Sequence, residues 1–323
     1  MKDETAEFLA LQLPDIDRIL ASLQVNVRQR PLRAASMIVD HCIVRIEGDT
    51  KDNYFKKPWF SVIYRETKRW YKERYGQALS DSQSDVVYGF VLIFDTPFEL
   101  AIPLGVREED EPGETFWLCL PTSVMPGERV LDWIITPPNL ERLVPSEHEA
   151  LVRNIVRVAE HLRAIRVNLM TADYPNRPSR KLSEGIIPHL ERGAKDIVRN
   201  PRERTSLAIW EFHLAAERAM KVYLWQRGIE PPNTHDLDQL NRLSGSGGDT
   251  VVPTNLVSKL PSGTTAIRHR YGEADPPDLE STIDIYTAAM QLIGNYARGL
   301  TRRFTFDNAR FLLKVPPWAK REA

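Results

Sequence analysis

The stretch from Thr205 to Leu243, TSLAIWEFHLAAERAMKVYLWQRGIEPPNTHDLDQLNRL, limits what this chain can fold into more than any other. Ile209, Phe212, Ala216, Ala219 and Tyr223 follow three-four spacing behind a Thr205 or Ser206 cap, while Leu207, Trp210, Leu214 and Leu224 cover a second flank. A helix apolar on two sides needs neighbours on two sides, so it is expected at the centre of a bundle. Gly228 ends it, Pro231 and Pro232 block its continuation, and Asp236 with Gln239 opens a second helix through Leu237 and Leu240. The expected product is a helical hairpin. Along its polar edge His213, Glu217 and Lys221 fall four residues apart, and Glu217 precedes Lys221 in the favourable order, worth about 0.2–0.5 kcal/mol.

At 323 residues the chain has room for about two domains, each large enough to bury a core. Its net charge of −1 gives no global attraction to nucleic acid, so any basic surface must be local. The two cysteines, Cys42 and Cys119, lie in apolar runs and read as reduced core residues. No metal or cofactor is expected. The amino terminus is acidic and lacks a signal-peptide pattern, and the longest apolar run, Val86–Phe94, is too short to span a bilayer. A cytoplasmic protein with no membrane association is expected.

Ahead of the hairpin, a short helical pattern covers Asp15–Leu23, and Met37–Ile46, rich in branched residues, is expected as a strand. Lys56–Tyr75 reads as a helix from Pro58 to Gly76, with Arg65, Lys68, Arg69 and Lys72 on one face among six aromatic residues. Such a basic-aromatic patch could hold single-stranded nucleic acid, although Glu66 and Glu73 can also pair with it and aromatics at helical spacing belong in a core. Four strands are expected at 86–95, 98–106, 114–121 and 129–137, with Glu108–Glu111 and Pro112-Gly113 as an acidic turn. A capping box of Ser146 and Glu149 opens a long helix whose seam, Leu151, Ile155, Val158, Leu162, Ile165 and Leu169, can pack on the sheet, the bundle or a second copy. Tyr174–Arg180, with two prolines, reads as the domain boundary.

The run AAERAMKVYLWQRGIEPPNTHDL, followed by HRYGEADPPDLESTIDIYTAAMQLIGNYA, resembles the HEPN domain (higher eukaryotes and prokaryotes nucleotide-binding) over roughly Ser183–Leu300. The shared features are the Ala-Ala-Glu-x-Ala-x-Lys core, the Pro-Pro-x-Thr-His-Asp-Leu loop and an Arg-Tyr before a last amphipathic helix. The resemblance implies a fold of two parts. An α+β domain of no family we can name, a short antiparallel sheet plus helices, covers residues 1–145. A connector helix and linker span 146–182, an all-α HEPN-like helical bundle spans 183–300, and a basic, aromatic tail spans 301–323.

The same resemblance implies binding of nucleotide or RNA and homodimerisation through the bundle, in a toxin, defence or stress setting. The residues it puts forward for binding are Lys221, His235, Arg268, His269, Arg270 and Tyr271. Many HEPN proteins are metal-independent ribonucleases with an Arg four to six residues ahead of a His, where the arginine grips the scissile phosphate and the histidine moves the 2′-hydroxyl proton. That spacing does not occur in the HEPN-like region, which favours binding over cleavage. A divergent ribonuclease built on His269 with Arg268 or Arg270 is one alternative, and a protein-interaction module that binds no nucleic acid is another. Gly-rich phosphate loops, nucleophile elbows and His/Cys metal spacings are absent from the sequence.

Overall fold

The computed structural model describes residues 2–80, 86–112, 114–201, 203–245, 254–304 and 309–314. A loop is expected at Ser244–Asp249, of which Ser244 and Gly245 end a helix and the rest, like the turn glycine Gly113, lies outside the described residues. The architecture is α+β: N-terminal helices, small antiparallel sheets within 86–120, then a largely helical region from 145 to 298. The chain divides into two compact units, one of Met1–Gln83 with Lys314–Ala323 and the other of Ser84–Leu313. The sequence-based boundary at Tyr174–Arg180 falls inside the second of these.

In the first unit, α1 (Lys2–Ser22), α2 (Arg30–Met37) and α3 (Pro58–Tyr75) enclose a core of their own, followed by a single turn α4 (Gln77–Ser80). The strand expected at Met37–Ile46 is not formed. Instead α2 runs on into a wider turn over Ile38–Cys42, because Ala34, Ala35, Ile38 and Val39 repeat on one helical face and all are buried. The branched residues serve that face rather than a pleat.

In the second unit, β1 (Val86–Ile93) and β2 (Thr96–Pro103) pair antiparallel across Phe94-Asp95, whose φ values of 51° and 54° suit a tight hairpin. The acidic segment expected as a turn is a strand, β3 (Val106–Glu111), paired antiparallel with β4 (Thr115–Leu120) and joined in one sheet by β5 (Ala309–Lys314). Its carboxylates are carried mainly on exposed positions, so a strand costs them no hydration. The fourth expected strand, 129–137, is a single 3₁₀ turn at Val130–Trp133 that buries both end residues, with one bridge from Ile134 to Leu100.

The helical part comprises α5 (Pro145–Thr171), α6 (Arg177–Ser183), α7 (Ile186–Arg199), α8 (Thr205–Gln226), α9 (Leu237–Gly245), α10 (Thr254–Val257), α11 (Gly263–Tyr271) and α12 (Leu279–Arg298). The α5 seam is buried at all six expected positions, against β1 on one side and α12 on the other. Its cap lies two residues ahead of the expected one: Glu147, not Glu149, accepts the N-terminal N–H, from Val144 at 3.1 Å, ahead of Pro145. Helix α8 touches α6, α7, α9, α11 and α12 and is buried on nearly every side, as its two apolar flanks require. Gly193 of α7 permits the closest approach, since a Cβ there would meet the Phe212 ring at 2.4 Å.

Candidate functional site

Three elements build one face around α8: the helix itself, the loop before α9, and α11. Gly228, at φ 72°, ends α8, and the Asp236 carboxylate accepts the Gln239 N–H at 3.1 Å to start α9, so the loop between them is fixed at both ends. Helix α11 lies hard against that loop. A Cβ on Gly263 would sit 2.6 Å from the His235 carbonyl oxygen, so only glycine allows this approach.

The polar edge of α8, which the sequence offers as an ion pair inside the bundle or its dimer interface, is buried within the bundle. Glu217 and Lys221 are 6% and 9% exposed, and Lys221 Nζ donates to Glu217 Oε1 at 2.7 Å. The second carboxylate oxygen meets His235 Nδ1 at 2.7 Å, with the His235 side chain half-exposed. One turn earlier His213, fully buried, donates from Nε2 to the His235 carbonyl at 2.9 Å. Burial holds the His213 pKa below its ordinary value, opposed by that carbonyl. Both ends of His235, side chain and backbone, are thus tied to α8.

Trp210 stands beside this network, its ring centroid 6.2 Å from His213 and 5.6 Å from His235. The exposed Arg270 guanidinium lies over the Trp210 ring at 5.1 Å and near that of Tyr271 at 5.5 Å. His269 points the other way and is buried, its Nδ1 3.2 Å from the Ser206 hydroxyl. Desolvation and the neighbouring Arg268 both lower its pKa. Ser206, an expected helix cap, is used for this contact instead. Arg268 donates to the Glu273 carbonyl at 2.9 Å and so closes the end of α11.

The structure therefore gathers Lys221, His235, Arg270 and Tyr271 around Glu217 and Trp210, while His269 and Arg268 are engaged elsewhere on α11. The second patch, Arg65, Lys68, Arg69 and Lys72, belongs to the first unit, where all four are exposed along α3 and Arg69 bonds Glu66 at 2.8 Å. The rings interleaved with them are not free platforms: Phe60 and Tyr71 are buried, and Trp59, Tyr64, Trp70 and Tyr75 pack on the same core. Among the described residues, no group of three His, Cys, Asp or Glu side chains could hold a metal ion, and no helix is long and apolar enough to cross a membrane.

No family model, curated protein or solved structure matches this chain. The HEPN resemblance rests on the quoted motifs alone.

Two sets of residues carry more than their sequence pattern suggests. Trp210 reads as a flank residue of α8, yet an aromatic one turn ahead of His213 beside the polar edge is a signal of its place in the site. Arg177, Arg180 and Lys181 fall in the expected linker, yet three cations within five residues of an Asn176 cap mark a helix with a basic face.

Proposed function

We propose that the second unit is an HEPN-like module that binds RNA or nucleotide on the face shared by α8, α11 and the His235 loop, and that it self-associates through the bundle. One observation carries this reading: exposed Arg270 and His235 flank Trp210, with Tyr271 extending the surface outward. The Arg270 guanidinium, seated on the buried Trp210, can hold a phosphate while the exposed Tyr271 ring stacks a base, and Glu217 behind fixes the loop that carries His235. Binding is favoured over cleavage because His269 is buried on Ser206 and Arg268 is turned to the Glu273 carbonyl, so the two do not converge on one exposed point.

Fluorescence anisotropy with labelled single-stranded RNA, without added metal, tests the reading. Arg270→Ala is expected to weaken affinity about tenfold and to flatten the salt dependence by about one phosphate contact, with the RNA intact throughout. Cleavage that vanishes in His269→Ala would instead support the divergent ribonuclease. A full chain that ignores RNA at low salt would support the protein-interaction module. Sedimentation of the free protein tests self-association, and a monomer at about 50 μM would remove that part of the proposal.

A further inference from the structure

We propose that a second site, sharing no lining residue with the α8–α11 face, binds the backbone of single-stranded nucleic acid in the cleft between the end of α5, α6 and residues 301–304. The cleft has a volume of about 840 Å³, which is room for several linked groups and not for one phosphate alone. Arg177, Arg180, Lys181 and Arg303 line it, with Tyr174 and Phe304 as its aromatic members. Two carboxylates answer these four cations. Glu184 lies 3.4 Å from Arg180 and Asp173 lies 2.7 Å from Arg303, and all four side chains are more than half exposed, so the pairs are weak and can open to a stronger anion. Arg177 and Lys181 have no acidic partner among the described residues. In a chain of net charge −1 this is a local surplus of positive charge.

The walls are prearranged. Ala172 bridges to Arg302, Asp173 N–H donates to the Thr301 carbonyl at 2.9 Å, and Arg303 N–H donates to the Thr171 carbonyl at 2.9 Å. The Gln226 side-chain amide donates to the carbonyls of Asp173 and Thr301 at 2.6 and 3.0 Å and accepts the Thr301 N–H at 2.7 Å. Segments far apart in sequence are thereby locked together, so a ligand need not pay to assemble them.

Met170, 47% exposed, lines this cleft and also a second cavity of about 330 Å³ beside it. That cavity is mostly apolar, lined by Leu104, Leu118, Leu120 and Phe116, with Arg107 stacked on the Phe116 ring at 4.1 Å and Arg166 at its edge. An apolar recess flanked by two guanidiniums, next to a row of phosphate-seeking cations, has the layout of a base pocket beside a backbone track. A carboxylate-rich peptide would use the cations but leave the recess empty.

The test is anisotropy of the full chain with a labelled oligouridylate of about 15 nucleotides, titrated across salt. The variant Arg177→Gln/Arg180→Gln/Lys181→Gln is expected to lose at least about tenfold in affinity and to flatten the slope of log K on log salt by about 2, at about 0.7 per phosphate. Phe116→Ala is expected to lose about tenfold with the slope unchanged. Should the triple variant fail to fold by circular dichroism, Lys181→Glu alone is read in the same way. Wild-type affinity in a folded variant overturns the proposal, as does equal displacement by inorganic phosphate or by polyglutamate. If Arg270→Ala abolishes binding and the cleft variants do not, the α8–α11 face stands and the cleft falls; the reverse result separates them the other way.

Discussion

Glu217 holds two partners at once, an ammonium on its own helix and an imidazole on the loop, with under a tenth of its surface in water. Removing it strands Lys221 in the interior. Glu217→Ala is therefore expected to cost about 3–5 kcal/mol in urea denaturation, whereas Glu217→Leu combined with Lys221→Met should recover most of that, because two apolar side chains leave no charge unpaired. His213 adds a pH dependence. Its pKa in the folded protein is lowered by burial from an ordinary value of 6.5, so the unfolded chain takes up a proton first as pH falls. Stability from this group is complete above about pH 6.5 and is lost as pH drops below it toward the lower folded value. The Tm is expected to fall between about pH 7 and pH 5, and His213→Gln should make that fall shallower; an unchanged slope would mean that other groups dominate.

At the scale of elements, α11 depends on a missing side chain. Gly263→Ala drives a methyl into the His235 carbonyl, and the neighbour it meets is backbone, which cannot swing aside. We expect a loss of about 1–3 kcal/mol and a weaker hold on RNA even though residue 263 touches none, as α11 and Arg270 move off Trp210. Local pattern made several elements readable in advance. The first flank of α8, the Gly228 stop, the Asp236 cap and the α5 seam are each encoded within a few turns, and each is where the sequence puts it; of the second flank Trp210 and Leu224 are buried, while Leu214 is partly covered and Leu207 exposed. Residues 37–46 were misread because branched residues favour strands in general, yet here Ala34, Ala35, Ile38 and Val39 meet a helix. An ion pair of Glu217 and Lys221 inside the bundle is readable from their place on a helix apolar on two sides, and it is found there; the loop that folds over it and brings His235 to the second carboxylate oxygen is not, since an i,i+4 spacing reports nothing beyond its own helix. The α6 cleft needs residues 171–174 beside 301–304, and no periodicity reports a pairing across that separation.

For the whole molecule, two separate hydrophobic cores predict two separable transitions. Leu13 is fully buried in the core of α1–α3, so Leu13→Ala should lower one thermal transition by about 2–5 kcal/mol of stability and leave the other in place. A single transition shifted as a unit would contradict this. The Gln226 amide, which ties the ends of α5 and α12 to α8, has a consequence in time. Asp173 and Gln226 leave the ribosome long before Thr301, and until that residue emerges their hydrogen-bonding groups have only water to meet. A nascent chain can thus fold its hairpin and its central helix early. It cannot present a finished cleft until residues 301–304 have emerged, so a chain cut short after α12 would keep the cations of α6 and lack the wall that Arg303 and Phe304 supply.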